Sequence, residues 1–145
     1  MNQGKAAEAS TTPVHFSISL LHAAQIVGDR LEAGLGTVGL SMAKQSALTK
    51  LAEAGGPLTL SELAARLSCV RSNITQLVDR LEADGLVRRL DDPADRRSVK
   101  AELTQTGVQK QMAGAAEMVR VQAEMSGLLP SSDRISLESA LSVLR

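Results

Sequence analysis

The sequence has almost no aromatic residues and only one cysteine. Its 145 residues include one phenylalanine, no tryptophan and no tyrosine, and the single cysteine is Cys69. Leu, Val, Ile, Ala and Met must therefore build the core, and this composition suits helices better than sheets. An all-β sandwich or barrel is thus not expected, and a lone cysteine cannot form an internal disulfide.

The sequence also lacks a net charge and any long apolar run. Sixteen Lys and Arg residues balance sixteen Asp and Glu residues, so the total charge neither indicates nor excludes a nucleic-acid partner. No apolar run approaches about 18 residues and no signal peptide is recognisable, which predicts a soluble, cytoplasmic protein that does not enter a membrane. Because 43% of the residues are hydrophobic, the chain can bury the core of one domain.

Apolar periodicity predicts six helices. Ser41, Thr104 and a capping box formed by Thr59 and Glu62 mark helix starts, and Pro130 opens the last helix. Glycines at positions 34 and 36, 55, 85 and 127 mark helix ends. The predicted helices span about 14–35, 41–54, 59–67, 71–83, 105–126 and 130–144, after a flexible arm at 1–12.

Two short β-favouring runs separate the fourth predicted helix from the fifth. These runs are Leu86–Leu90 and Val99–Leu103, and the polar stretch Asp91–Ser98 between them is predicted to be the loop of an antiparallel hairpin. Two short helices joined by a tight turn and followed by such a hairpin make a winged helix-turn-helix. The predicted fold is mainly α with a small β-hairpin wing.

The fourth predicted helix has one apolar side and one polar side. A helical wheel places Ile74, Leu77, Val78 and Leu81 together, so this side is predicted to pack inward. The opposite side carries four short hydrogen-bonding side chains that can reach base edges in the major groove: Ser72, Asn73, Thr75 and Gln76. Arg71 lies in the first turn, where the helix dipole favours anions, and is predicted to contact a phosphate.

The segment 66–100 is modestly basic. It holds eight of the sixteen Lys and Arg residues against six acidic residues. At the predicted hairpin tip, Asp95 precedes Arg96 and Arg97. An acidic side chain at this place can brace one guanidinium group while that group enters the narrow minor groove.

The segment from Leu63 to Thr104 carries a specific combination of motifs. The predicted helix that contains Asn73 is followed by Gly85-Leu86-Val87-Arg88-Arg89. The hairpin contains Asp92-Pro93-Ala94-Asp95-Arg96-Arg97. This combination resembles the MarR family of transcriptional regulators, and the order of the flanking helices agrees over most of the chain. The resemblance implies a homodimer that binds pseudo-palindromic double-stranded DNA operators, usually as a repressor, and that releases DNA when a small anionic or aromatic effector binds.

The resemblance also assigns roles to segments and residues. It implies a winged helix-turn-helix at about 41–104 and dimerisation helices at about 14–35 and 105–145, within one domain at 13–145. The recognition-helix residues carried over are Ser72, Asn73, Thr75 and Gln76. Arg97 is implied as the wing arginine, Asp95 as its brace, and Arg96 as the second choice for the groove.

Other functions are weighed against this one. Cys69 precedes a helix start, so either a redox-responsive regulator or a small apolar residue at the turn fits this position. His15 and His22 are too few for a metal site, and we expect no metal, cofactor or catalytic residue. A winged-helix scaffold that binds proteins and not DNA is the remaining alternative.

Overall fold

The structure is a computed structural model that describes residues 13–143, without the side chains of Pro13, Val14, Arg96 and Arg97. The predicted arm at 1–12 lies outside the described residues. Within them the chain forms six helices and three strands. These are α1 (Pro13–Thr37), α2 (Met42–Ala54), β1 (Leu58–Thr59), α3 (Leu60–Arg66), α4 (Arg71–Ala83), β2 (Val87–Asp92), β3 (Asp95–Leu103), α5 (Gln105–Ser126) and α6 (Ser131–Ser142).

The predicted fold class is confirmed, with one additional strand. The sheet is antiparallel and has the order β1-β3-β2. The added strand β1 pairs Leu58 with Ala101 and Thr59 with Lys100. Two residues give no alternating pattern, so a strand of this length cannot be recognised from the sequence. Its pairing ties the start of α3 to the wing.

The predicted loop of the hairpin at Asp91–Ser98 was wrong. Strand β2 continues to Asp92 and β3 begins at Asp95, so only Pro93 and Ala94 connect the two strands. A register shift next to Asp92 absorbs the unequal strand lengths. The carboxylate of Asp92 closes the turn, because it accepts a hydrogen bond from the Ala94 amide at 3.0 Å and lies 3.1 Å from Lys100 Nζ. Polar composition concealed these strand ends, because a narrow exposed ribbon accepts polar residues.

The predicted end of the first helix was also wrong. Helix α1 runs through Gly34 and Gly36 to Thr37. Gly34 is buried, and a Cβ atom added to it would lie 2.8 Å from Val121 Cγ2 on α5. The glycine therefore permits close approach of two helices and does not end α1. The turn after α1 instead uses Gly39, whose φ of 73° is left-handed.

The predicted caps of three helices are confirmed. The side chains of Ser41, Thr59 and Thr104 accept hydrogen bonds from backbone amides at the starts of α2, α3 and α5. At α3 both halves of the capping box are present, since Glu62 accepts from the Thr59 amide at 2.8 Å. Gly55 follows α2 in the left-handed conformation. These caps fix where each element of the helix-turn-helix begins.

Most of the buried core lies within the predicted winged helix-turn-helix, and Leu35 at the end of α1 joins it. Its largest fully buried side chains belong to α1, α2, α3 and α4: Leu35, Leu48, Leu63, Ile74, Val78 and Leu81. Helix α6 has no buried residue, and apolar side chains of α1, α5 and α6 are exposed, including Phe16, Val27, Val119 and Leu137. Residues 13–143 of a single chain therefore leave these apolar side chains of the three helices uncovered.

The capping box at α3 predicts a pH dependence of stability. The hydrogen bonds from the Thr59 amide and hydroxyl lower the pKa of Glu62 below its ordinary value of 4.5. The resulting stabilisation is present above pH 4.5 and is lost as the pH falls through the lowered folded-state pKa. We therefore expect Glu62→Gln to reduce the unfolding free energy at pH 7 more than at pH 3, measured by urea denaturation. An equal loss at both pH values would contradict this assignment.

Candidate nucleic-acid interface

Helix α4 presents its polar side to solvent. Ile74, Val78 and Leu81 are fully buried and Leu77 is half-buried, so the apolar side faces the core as predicted. The structure brings the four predicted base-contacting residues together on the exposed side: Ser72, Asn73, Thr75 and Gln76. The Thr75 hydroxyl donates to the Arg71 carbonyl at 3.1 Å, which leaves its oxygen lone pairs as acceptors. The side is therefore rich in neutral donors and acceptors.

The start of α4 is uncapped. Its N-cap residue is Val70, which offers no side-chain hydrogen bond and is 63% exposed, whereas α2, α3 and α5 have hydroxyl caps. In the described chain, the amides of Arg71 and Ser72 have no acceptor. Free amides and the positive end of the helix dipole together favour an anion such as phosphate at this end.

Ion pairs neutralise the acidic residues at the other end of α4. Arg89 on β2 pairs with Asp79 and holds Glu82 at 2.8 Å. The hydrogen bond to Asp79 raises the pKa of the Arg89 guanidinium, so this group remains charged. Asp84, directly after α4, pairs with Lys44 on α2. Arg89 belongs to the sequence motif described above, whereas Lys44 was not among the predicted residues; both pair with carboxylates of distant elements, and no local spacing reveals these pairs.

Ion pairing divides the cations of the basic segment into two groups. Arg88 pairs with Glu102, and Lys100 pairs with Asp92. Arg66, Arg71 and Arg80 are exposed, and their guanidinium groups form no ion pair or hydrogen bond within the described part of the chain. Fewer charges are thus available to an anionic partner than the count of eight suggests.

The predicted wing residues lie near the start of β3. Asp95 is exposed and pairs across the ladder with Asp92. The backbones of Arg96 and Arg97 follow it in β3, but their side chains lie outside the described part of the structure. The bracing of a guanidinium by Asp95 therefore stays a prediction.

A cleft of about 440 Å³ lies beside α4. Residues of α2, of the turn after α3 and of α4 line it, among them Ser46, Cys69, Gln76 and Arg80. Cys69 is half-buried there, and its amide donates to the Ala64 carbonyl. The cysteine thus lies next to residues of the predicted recognition surface.

The two histidines of the sequence do not belong to a group of metal ligands in the described chain. His15 and His22 lie exposed on α1, and among residues 13–143 no cluster of three potential ligands could hold a metal ion. Likewise, none of the described helices is both long and apolar enough to cross a bilayer.

Known proteins match both the sequence and the fold. The sequence model of the MarR family matches residues 40–99. The uncharacterised HTH-type transcriptional regulator YfiV of Bacillus subtilis is 34% identical over 119 residues, which cover 77% of this chain and 73% of that protein. The alignments with two other curated relatives, the regulators YkoM of Bacillus subtilis and PrsX of Escherichia coli, cover only 40% and 49% of those proteins.

Two solved structures have the same fold at 27% identity. The transcriptional repressor CouR, bound to a 23-mer DNA duplex, superposes with a TM-score of 0.77 over 99% of both chains. AbsC, a MarR family transcriptional regulator from Streptomyces coelicolor, superposes with a TM-score of 0.76 over 92% of this chain and 93% of that chain. The structural similarity therefore includes α1, α5 and α6 as well as the helix-turn-helix.

Proposed function

Because this chain belongs to the MarR family of transcriptional regulators, we propose that it binds specific DNA sequences and regulates transcription, most simply as a repressor. One observation carries the proposal: α4 exposes a neutral hydrogen-bonding side next to an uncapped helix start. The polar side matches the donor and acceptor pattern of the major groove, and the helix start matches a phosphate. The proposal makes the protein a binding protein and not an enzyme, and places it in the cytoplasm.

Residue roles follow from this docking of α4. Ser72, Asn73, Thr75 and Gln76 contact base edges, and Arg71 contacts a phosphate. The wing roles are those that the family implies: Arg97 enters the minor groove with Asp95 as its brace, and Arg96 is the alternative. The structural neighbour CouR supports this geometry, since that repressor was solved on a DNA duplex.

The functional form is proposed to be a homodimer. Helices α1, α5 and α6 expose several large apolar side chains, among them Phe16, Val119 and Leu137, and such groups of exposed apolar side chains mark interaction surfaces. A second copy that covers this surface would place two recognition helices about 34 Å apart, one turn of DNA. The operator is therefore expected to be an inverted repeat.

A small-molecule effector is proposed to release the DNA. The described chain has one aromatic side chain, Phe16, so aliphatic and polar groups would line a binding site. One cleft of about 430 Å³ between α2 and α5 has such a lining, which includes Gln45, Gln111, Ala115 and Met118. This cleft joins the DNA-binding part to a helix of the proposed dimer surface, so a ligand there could alter the spacing of the two recognition helices.

Selection from a random DNA pool tests the proposed function. The purified protein is expected to enrich an inverted repeat, and Gln76→Ala is expected to relax base preference at one position per half-site. A bidentate contact between glutamine and adenine contributes about 1–3 kcal/mol of discrimination, so the preference should fall by about tenfold. Gln25→Ala, an exposed glutamine on α1, is the matched control.

Two outcomes would contradict the proposal. If no sequence is enriched and no DNA is bound even at low salt, the chain is a protein-binding scaffold. If Cys69→Ser abolishes release of DNA by peroxide, regulation is by oxidation of the cysteine and not by a small-molecule effector.

A further inference from the structure

The charges of α4 are not the charges that its sequence suggests. Residues 71–83 contain Arg71 and Arg80 against Asp79 and Glu82, so the helix is formally neutral. In the folded chain, however, Arg89 on strand β2 of the wing forms ion pairs with both carboxylates of α4. The two arginines of α4 are therefore its only charges without an opposite charge, among the residues that the structure describes.

The acidic residue best spaced to pair with Arg80 is already paired with another cation. Asp84 follows Arg80 by four residues, which is a spacing at which opposite charges pair along a helix. Asp84 instead binds Lys44 on α2. Arg80 stays exposed, with no ion pair in the described chain.

Arg80 lies on the same side of α4 as the residues proposed to contact bases. It follows Gln76 by four residues and Asn73 by seven, so it lies about one helical turn, or 6 Å along the axis, beyond Gln76. Asn73, Gln76 and Arg80 also line the same cleft. When α4 enters the major groove, a guanidinium at this place reaches the phosphates that border the groove.

We propose that Arg80 is a further DNA-binding residue that contacts a backbone phosphate, and that Arg89 is a positioning residue that withdraws the carboxylates of α4 from the DNA. The inference rests on the proposed function. Arg89 does not itself touch DNA. It holds Asp79 and Glu82 against the wing, so two negative charges do not face the phosphates that Arg80 approaches.

The salt dependence of operator binding tests the role of Arg80. Each phosphate contact contributes about 0.9 to the slope of log K against log salt, so Arg80→Gln should lower the slope of a dimer by about 1.8. Affinity should then fall at low salt, with base preference unchanged. Arg120→Gln removes the same charge from α5, where Arg120 pairs with Glu117 and Glu124, and should leave the slope unchanged.

A rescue experiment tests the role of Arg89. Arg89→Gln should weaken DNA binding about tenfold or more, because it leaves both carboxylates without their neutralising cation. Asp79→Asn and Glu82→Gln, added to the Arg89→Gln chain, should restore affinity even though no ion pair is restored. A residue that only stabilises the fold would not be rescued in this way, and circular dichroism at the assay temperature shows whether each variant is folded.

Each result has a defined meaning. If the wild-type protein binds its operator and Arg80→Gln changes the slope no more than Arg120→Gln does, the role of Arg80 is overturned while the proposed function stands. A changed base preference would overturn the phosphate contact, since it places Arg80 on a base edge. Failure of the rescue overturns the role of Arg89. If the wild-type protein binds no DNA, the proposed function fails together with this inference.

Discussion

Replacing Gly107 by alanine is expected to destabilise the protein by about 3 kcal/mol, at the upper end of the range for overpacking. Gly107 lies in the first turn of α5 and is buried. A Cβ atom at this position would overlap the carbonyl oxygen of Leu86 and lie 2.9 Å from its carbonyl carbon. Backbone atoms cannot rotate away as a side chain can, so α5 must move away from the start of the wing.

That movement also breaks hydrogen bonds. The Leu86 carbonyl accepts a hydrogen bond from the Thr104 amide at 3.1 Å, and the Thr104 hydroxyl donates to the Gly85 carbonyl at 2.7 Å. Both bonds hold the start of α5 on the junction between α4 and β2. The weakening of these bonds, each contributing about 1 kcal/mol, is part of the expected total of about 3 kcal/mol.

Thermal unfolding monitored by circular dichroism measures this effect. For a chain of this size, a loss of about 3 kcal/mol lowers Tm by about 10 °C. Gly36→Ala is the matched control, because Gly36 is also helical but a Cβ atom there would meet nothing within 4 Å. Alanine favours a helix by up to about 1 kcal/mol over glycine, so the control should be as stable as the wild type or more stable. Equal Tm values for both variants would contradict the described packing of α5.

Local signals in the sequence predicted most helices, whereas contacts between distant residues decided the exceptions. The capping box at Thr59 and Glu62 was readable because its two residues are three apart and satisfy each other. A glycine was also used to predict the end of α1, and this failed at Gly34. A side chain at Gly34 would collide with Val121 of α5, which is far away in the sequence. A glycine that permits helix packing and a glycine that ends a helix cannot be distinguished from local sequence alone.

The same distinction applies to the candidate site. The polar side of α4 follows from helical periodicity, and the structure exposes Ser72, Asn73, Thr75 and Gln76 as expected. The ion pairs of Arg89 with Asp79 and of Lys44 with Asp84 span 10 and 40 positions. No spacing rule links residues so far apart. Counting charges along the sequence therefore overestimated the number of cations available to DNA and did not show which of them pair with carboxylates.

Placing two glutamates on the apolar stripe of α1 is expected to abolish operator binding. Leu20, Val27 and Leu31 recur at helical spacing on this stripe, and its lower end at Leu35 is fully buried against the rest of the chain. Higher up, Phe16 is 58% exposed and Val27 is 36% exposed. The described part of the chain therefore covers only one end of the apolar stripe. This is expected if a second copy of the chain covers the end that carries Phe16 and Val27.

The double variant Phe16→Glu with Val27→Glu puts a charge at both exposed positions. Burying an unpaired carboxylate in an apolar interface costs several kcal/mol, so the dimer should dissociate into monomers. With one recognition helix per molecule, only half of the operator contacts remain. Affinity should fall by at least 10³-fold, toward the level of non-specific binding.

The matched control is His22→Glu with Gln25→Glu on the opposite side of α1. Both residues are exposed, and the double variant adds the same two acidic residues to the same helix. It should remain a dimer and retain most of the operator affinity, because a change of overall charge alone has only a screened, long-range effect. Analytical ultracentrifugation gives the oligomeric state, and an electrophoretic mobility shift gives the affinity. If Phe16→Glu with Val27→Glu stayed dimeric with wild-type affinity, the apolar stripe of α1 would not be the surface that joins the two copies.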